Sequence, residues 1–264
     1  MWLTEGYSIR QLKHFSHHHE RKLRYIINRS LNTYPDQSHK SYLPHKYLIF
    51  DGTFLFQRKG IAALMDSQYN TIISGKYGIS ESSQKDLYLF FNPLKHYQLN
   101  PRCFTVDGNP NVIRFLKIMW PEAIIQRCVI HIQRQGLMWC RQNPKRLDAR
   151  KLRNIFLQIP KIITHGQRDI FLSDFDAWEK RYGSKLQATP EKGWITSDLK
   201  RARSMLLKAI PNMFHFLDDP FISKSTNSLE GYFARLKNHY RHHRGLSPHK
   251  RPIYFDWYFF LKNR

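Results

Sequence analysis

The sequence predicts an α/β protein built on a mixed sheet, an antiparallel meander joined to parallel strands, with flanking helices, an all-helical insertion and an amino-terminal helix-turn-helix segment. Three observations predict it. Residues 47–74 hold short β-rich runs separated by turn residues. From Pro101 onward strand and helix patterns alternate, the arrangement that pairs strands in parallel through crossover helices. Residues 145–217 repeat apolar positions at helical spacing and hold few strand signals.

The first segment, 1–34, contains two short helices. Ser8 with Gln11 makes a capping-box pattern, and Ile9, Leu12 and Phe15 follow at helical spacing. After the polar stretch Ser16–His19, Leu23, Ile26, Ile27 and Leu31 form one stripe, while Arg21, Lys22, Arg24 and Arg29 occupy other positions. A buried side and a basic side suit a helix-turn-helix whose second helix reads DNA, and they suit any basic helical hairpin as well. Three adjacent histidines, His17–His19, cannot face one metal from a helix, so they are read as a solvated turn. Residues 35–46, with Pro35 and Pro44, break both periodicities and read as a linker.

Residues 47–141 read as the first part of the sheet-bearing core. Lys46–Asp51 is a short apolar run ending in an acid, followed by Gly52–Phe56 and then by Gln57–Gly60 as a turn. Ile61–Asp66 and Tyr69–Ser74 complete the meander. Leu87, Phe90, Phe91 and Leu94 have helical spacing, with Pro93 expected to end or kink that helix. Arg102–Val106 is a strand closed by Asp107-Gly108, Pro110–Trp120 a helix, Ile124–Val129 a strand and His131–Arg141 a helix. The insertion is assigned to 142–217. Residues 218–264 hold a final helix at about 225–240 and then a basic, aromatic tail.

The chain has 264 residues, 43 Lys and Arg against 20 Asp and Glu, and a net charge of +23. With 41% hydrophobic and 14% aromatic residues it is no disordered polybasic tail. Such an excess of cations opposes compaction by self-repulsion, so a polyanionic partner that neutralises it is expected, and double-stranded DNA is the leading one. No stretch is long and apolar enough to span a bilayer. Cys103, Cys128 and Cys140 are odd in number and irregularly spaced, unlike a disulfide framework. The amino terminus lacks a charged and then apolar leader pattern. A cytoplasmic, nucleoid-associated location is the expectation.

With acids so scarce, those at strand ends are informative. Asp51 and Asp107 each close a predicted strand, and neighbouring strands would point both into the crevice at their carboxyl ends. Two such carboxylates repel unless a hard divalent cation offsets them, which suits Mg²⁺ or Mn²⁺. A third acid would complete a site for two ions able to support phosphodiester chemistry. Glu230 is the candidate, because Thr226 or Asn227, Glu230 and Lys237 share a helical face. Taken singly, an Asp before Gly is commonly a turn former, and a Glu on a basic helix is half of an ion pair. Cys128-x-x-His131 reads as half of a zinc site without a second pair at finger spacing, or as a buried Cys beside a hydrogen-bonded His. Trp139, Trp178 and Trp194 read as helical core first and as base-stacking residues second.

Phe50-Asp51-Gly52-Thr53, Val106-Asp107-Gly108-Asn109, Cys128-Val129-Ile130-His131 and Thr226-Asn227-Ser228-Leu229-Glu230 stand in that order. Together they resemble the signature of DDE transposases of the Mutator-like bacterial insertion-sequence superfamily, over residues 47–240. The resemblance implies an RNase H-like core in which Asp51, Asp107 and Glu230 are the catalytic metal ligands for two Mg²⁺ or Mn²⁺ ions. It also implies Cys128 and His131 as an accessory pair; Asn227 and Lys237 are further accessory candidates, from the helical face they share with Glu230. Arg21, Lys22, Arg24, Arg29, Lys237 and Arg241 are expected to bind DNA, both element ends and target. A homodimer or larger assembly is implied, because two element ends must be held at once. Only seven residues precede Ser8, so a truncated copy with impaired end recognition is also expected. The alternatives are a DNA-binding remnant without catalysis and an RNase H-like nuclease without strand transfer.

Overall fold

A computed structural model describes residues 1–36, 41–56, 59–190, 194–243 and 245–262. Along the chain run α1 (Trp2–Glu5), α2 (Ile9–Ser16), α3 (Glu20–Ser30), β1 (Tyr47–Phe56), β2 (Lys59–Asp66), β3 (Thr71–Tyr77) and α4 (Gln84–His96). Next come β4 (Cys103–Val106), α5 (Pro110–Met119), β5 (Ile124–Arg127), α6 (Val129–Cys140), α7 (Leu147–Gln158) and α8 (His165–Trp178). The last are α9 (Ser184–Ala188), α10 (Trp194–Ala209), α11 (Asn227–Arg241) and α12 (Lys250–Lys262). The fold is α/β, with five strands in a mixed sheet flanked by helices. Within the expected linker, insertion and tail, residues 37–40, 191–193, 244 and 263–264 lie outside the described residues, as do Gln57 and Arg58 of the expected turn.

The chain forms two compact units. The first comprises residues 1–102, 109–123 and 227–264, the second 103–108 and 124–226. In the first, β1, β2 and β3 make the expected antiparallel meander. Its two faces are set by alternation along β1. Ile49 packs with Ile61, Ala63 and Met65 against Leu229, Phe233 and Leu236 of α11 and Tyr254, Phe255 and Tyr258 of α12. Phe50, one residue on, faces the other way and meets Phe90 and Phe91 of α4 at 5.6 and 4.9 Å between ring centroids.

Several expectations are corrected here. Asp51 does not end a strand: β1 is ten residues long and pairs through Asp51↔Ala63, Gly52↔Ala62 and Thr53↔Ile61. Asp-Gly reads as a terminator in isolation, but a partner strand on the ladder carries the pairing through it. Pro93 does not end α4, which continues to His96. In the last turn the proline costs only its own bond to the carbonyl of residue 89. The region after α11 is not a tail, because α12 buries Ile253, Tyr254, Phe255, Tyr258 and Phe259. Residues 1–7, for which the sequence predicts no element, hold α1, which packs on α11 and α12, and the Trp2 carbonyl is hydrogen-bonded to His243 Nε2 at 2.9 Å.

The helix pair α2–α3 is as expected, and the Ser8–Gln11 capping box is complete. Leu23 on α3 and Leu31, its C-cap, are buried and Ile27 packs on the core, whereas Ile26 is exposed. The carboxyl end of α3 is fastened by Trp257 Nε1, which donates to the carbonyls of Ser30 and Thr33 at 3.0 and 2.8 Å.

In the second unit β4 and β5 pair in parallel from Cys103↔Ile124 to Val106↔Arg127. The strand expected at 124–129 stops at Arg127, and Cys128 is the N-cap of α6. Helices α6, α7, α8 and α10 enclose one apolar cluster containing Phe156, Phe171, Phe175, Trp178, Leu199 and Leu206.

Candidate functional site

In the first unit Asp51 shares a face of β1 with Ile49 and Thr53, the face covered by α11. It is 9% exposed, and its Oδ1 accepts the Gly52 N–H at 2.9 Å. Glu230 lies half-buried in the first turn of α11, where the helix dipole favours a carboxylate. Seven residues on, about 10 Å along the helix axis, the Lys237 ammonium donates to Thr53 Oγ1. Asn227 is the first residue of α11 and is exposed. The unit therefore places Asp51, Glu230 and Lys237 on one strand face and the helix that covers it.

A fourth acid, Glu81, was not singled out from the sequence. It lies in the β3–α4 connection, and its Oε2 accepts from Asn109 Nδ2 at 3.2 Å. A Cβ built on Gly52 would stand 2.2 Å from Glu81 Oε1, so a glycine is what lets this carboxylate approach the backbone beside Asp51. The available signal was a glycine inside a strand pattern, which marks close approach.

In the second unit Asp107 directly follows β4. Its carbonyl accepts from Arg127 Nε at 2.7 Å, and a Cβ on Gly108 would stand 2.0 Å from Arg127 Nη2. Arg127 is buried; burial pushes its guanidinium down, while Asp107 and Cys128 act in the opposite direction. Both Asp-Gly pairs thus have one explanation: the glycine admits a charged side chain from elsewhere in the same unit.

Cys128, His131 and Thr226 form a cluster in the second unit. Cys128 Sγ accepts from the Thr226 N–H at 3.4 Å and lies 3.6 Å from its hydroxyl, and that hydroxyl is 3.3 Å from His131 Nδ1. Burial pushes the thiol up, but hydrogen bonds with His131 and Thr226 outweigh it and hold Cys128 below the ordinary thiol range. Cys103 and Cys140 are likewise buried.

Arg21, Lys22, Arg24 and Arg29 are all exposed on α3, with Arg24 3.6 Å from Glu20. Arg241 is exposed at the end of α11 and donates to Asn238 at 3.1 Å. Trp178 is core, and Trp139 packs partly on the same cluster. Trp194, at the start of α10, is 82% exposed.

The donors that would hold a metal are carboxylate oxygens, a hard set that suits Mg²⁺ or Mn²⁺. Among the described residues no three His, Cys, Asp or Glu side chains are gathered closely enough to hold a metal ion. Among them, too, no helix is long and apolar enough to cross a membrane. The chain matches no protein-family model and no curated protein.

Proposed function

We propose that this chain is a DDE-type DNA transposase with an RNase H-like core, cleaving DNA at element ends and joining those ends to target DNA. The observation that carries the reading is the pairing of β1 with α11, which sets Asp51 on the strand face that the Glu230-bearing helix covers. Asp107 at the end of β4 is the third member of the set. Divalent metal would supply charge neutralisation and an activated oxygen nucleophile.

The chain's own part is to hold and to orient. Asp51, Asp107 and Glu230 present oxygen ligands for two Mg²⁺ or Mn²⁺ ions. Lys237, fixed by Thr53, puts a positive charge on that face for a strand backbone. The exposed cations of α3 and Arg241 bind duplex DNA, and the Cys128–His131 pair shapes the site or contacts DNA. The net charge of +23 supports a polyanionic partner. Transposition requires two ends in one complex, so a dimer forms on DNA, in the cytoplasm at the nucleoid.

The test is Mg²⁺- or Mn²⁺-dependent cleavage and strand transfer on DNA bearing the element's own ends, comparing the native chain with Asp107→Ala. Products that vanish in the variant support the reading. Cleavage without joining would favour the nuclease, and binding without metal-dependent products the inactive remnant.

A further inference from the structure

We infer that Glu81 is a positioning residue that clasps the Asn109 cap behind the strand carrying Asp51; its relevance to DNA cleavage rests on the transposase reading. Alternation decides which side of β1 it occupies. Asp51 shares its face with Ile49 and Thr53, so the Cβ position of Gly52 points to the opposite face, the one where Phe50 meets α4. Glu81 Oε1 sits against that position. The carboxylate therefore backs the strand and does not stand beside the Asp51 carboxylate.

Its other oxygen reaches the start of α5. Asn109 uses both ends of its amide: Nδ2 donates to Glu81 Oε2 at 3.2 Å, and Oδ1 accepts from the Asn111 N–H at 3.0 Å. An N-cap needs one side-chain rotamer held in place, and Glu81 holds this one. Asn109 follows Asp107 by two residues. One carboxylate thus fixes the backbone next to the first aspartate and the helix cap just after the second. Such supporting hydrogen bonds orient the groups that do chemistry.

The role requires an acceptor oxygen rather than a charge, which separates it from metal ligation. Glu81→Gln keeps an oxygen for Asn109, and Glu81→Ala removes it. The experiment compares native protein, Glu81→Gln, Glu81→Ala, Asn109→Ala and the Glu81→Ala/Asn109→Ala double variant in three measurements: amide hydrogen exchange at 109–113, Mn²⁺ affinity by calorimetry without DNA, and cleavage at saturating Mn²⁺.

The expected result is faster exchange in Glu81→Ala and Asn109→Ala, restoration in Glu81→Gln, and a loss of about tenfold in cleavage that the double variant does not deepen. Exchange unchanged in Glu81→Ala overturns the clasp. Mn²⁺ affinity falling equally in Glu81→Gln and Glu81→Ala overturns it in favour of a metal ligand. A native chain that neither binds Mn²⁺ nor cleaves, yet shows the exchange pattern, upholds the clasp and overturns the transposase reading alone.

Discussion

The Lys237 ammonium donates to the Thr53 hydroxyl, tying the third turn of α11 to β1 two residues beyond Asp51. This bond joins the helix to the strand face that Thr53 shares with Asp51. Thr53→Val keeps the strand's β-branched shape but removes the acceptor. The half-buried ammonium then loses its partner, and the expected cost is about 1 kcal/mol by urea denaturation. Lys237→Met should cost about as much in stability but also weaken DNA binding, with a shallower salt dependence. Equal DNA binding by both variants would remove Lys237 from the DNA-contacting set.

The two Asp-Gly glycines should respond differently to a methyl group. At Gly52 the obstacle is the far end of a Glu81 side chain that is only partly buried, so Gly52→Ala can push it aside. At Gly108 the obstacle is the buried Arg127 guanidinium, which also holds the Asp107 carbonyl. Gly108→Ala should therefore destabilise by about 1–3 kcal/mol, the usual cost of overpacking, and Gly52→Ala by clearly less. Thermal melts of the two variants decide the order; the reverse order would sink this account.

What the sequence made readable was local. Pro110 at the start of a helix, Ser8 before Gln11, and the alternation of strand and helix after Pro101 each depend on neighbours within one turn, and these elements appear in the expected order. The failures share a cause in distant partners. Asp51-Gly52 looked like a strand end because the ladder that carries β1 onward comes from β2. Cys128 became a helix cap because its N–H bonds Val106 and its carbonyl begins α6. α12 was hidden because its aromatic face is explained only by the sheet it covers. Glu81 was missed for the same reason: Gly52 marks a close approach, but no spacing rule tells which distant residue makes it.

Cys128 is held below the ordinary thiol range against the effect of its own burial, so removing a hydrogen-bonding partner should reverse the balance. His131→Ala is expected to raise the thiol. With Cys103 and Cys140 replaced by alanine, Cys128 is the last of the three thiols, and its ultraviolet thiolate absorbance reports the shift directly. The sign for stability follows from linkage. A thiol lower in the folded than in the unfolded chain stabilises the fold as pH rises toward its unfolded value, and that contribution is lost as pH falls through the folded one. The alkaline rise should flatten in His131→Ala, and an unchanged slope would show that His131 does not govern the thiol.

Asp256 on α12 gives the opposite pH dependence. It lines a cavity of about 400 Å³ with Tyr42, Lys76, Phe90 and Tyr97. Burial pushes its carboxyl up to about 6, with Lys76 acting in the other direction. Between the ordinary value of 3.8 and about 6 the folded chain keeps a proton that the unfolded chain has released, so stability falls as pH rises through that window and stays reduced above it. Asp256→Asn keeps the shape and removes the titration. After allowance for the partial exposure of the group, it should gain about 1–2 kcal/mol at neutral pH and nothing at about pH 4. Urea denaturation of both proteins at the two pH values checks this. A gain of the same size at both would mean that the asparagine packs better and that the carboxylate's charge carries no cost. A loss at neutral pH would mean that the attraction to Lys76 outweighs the burial.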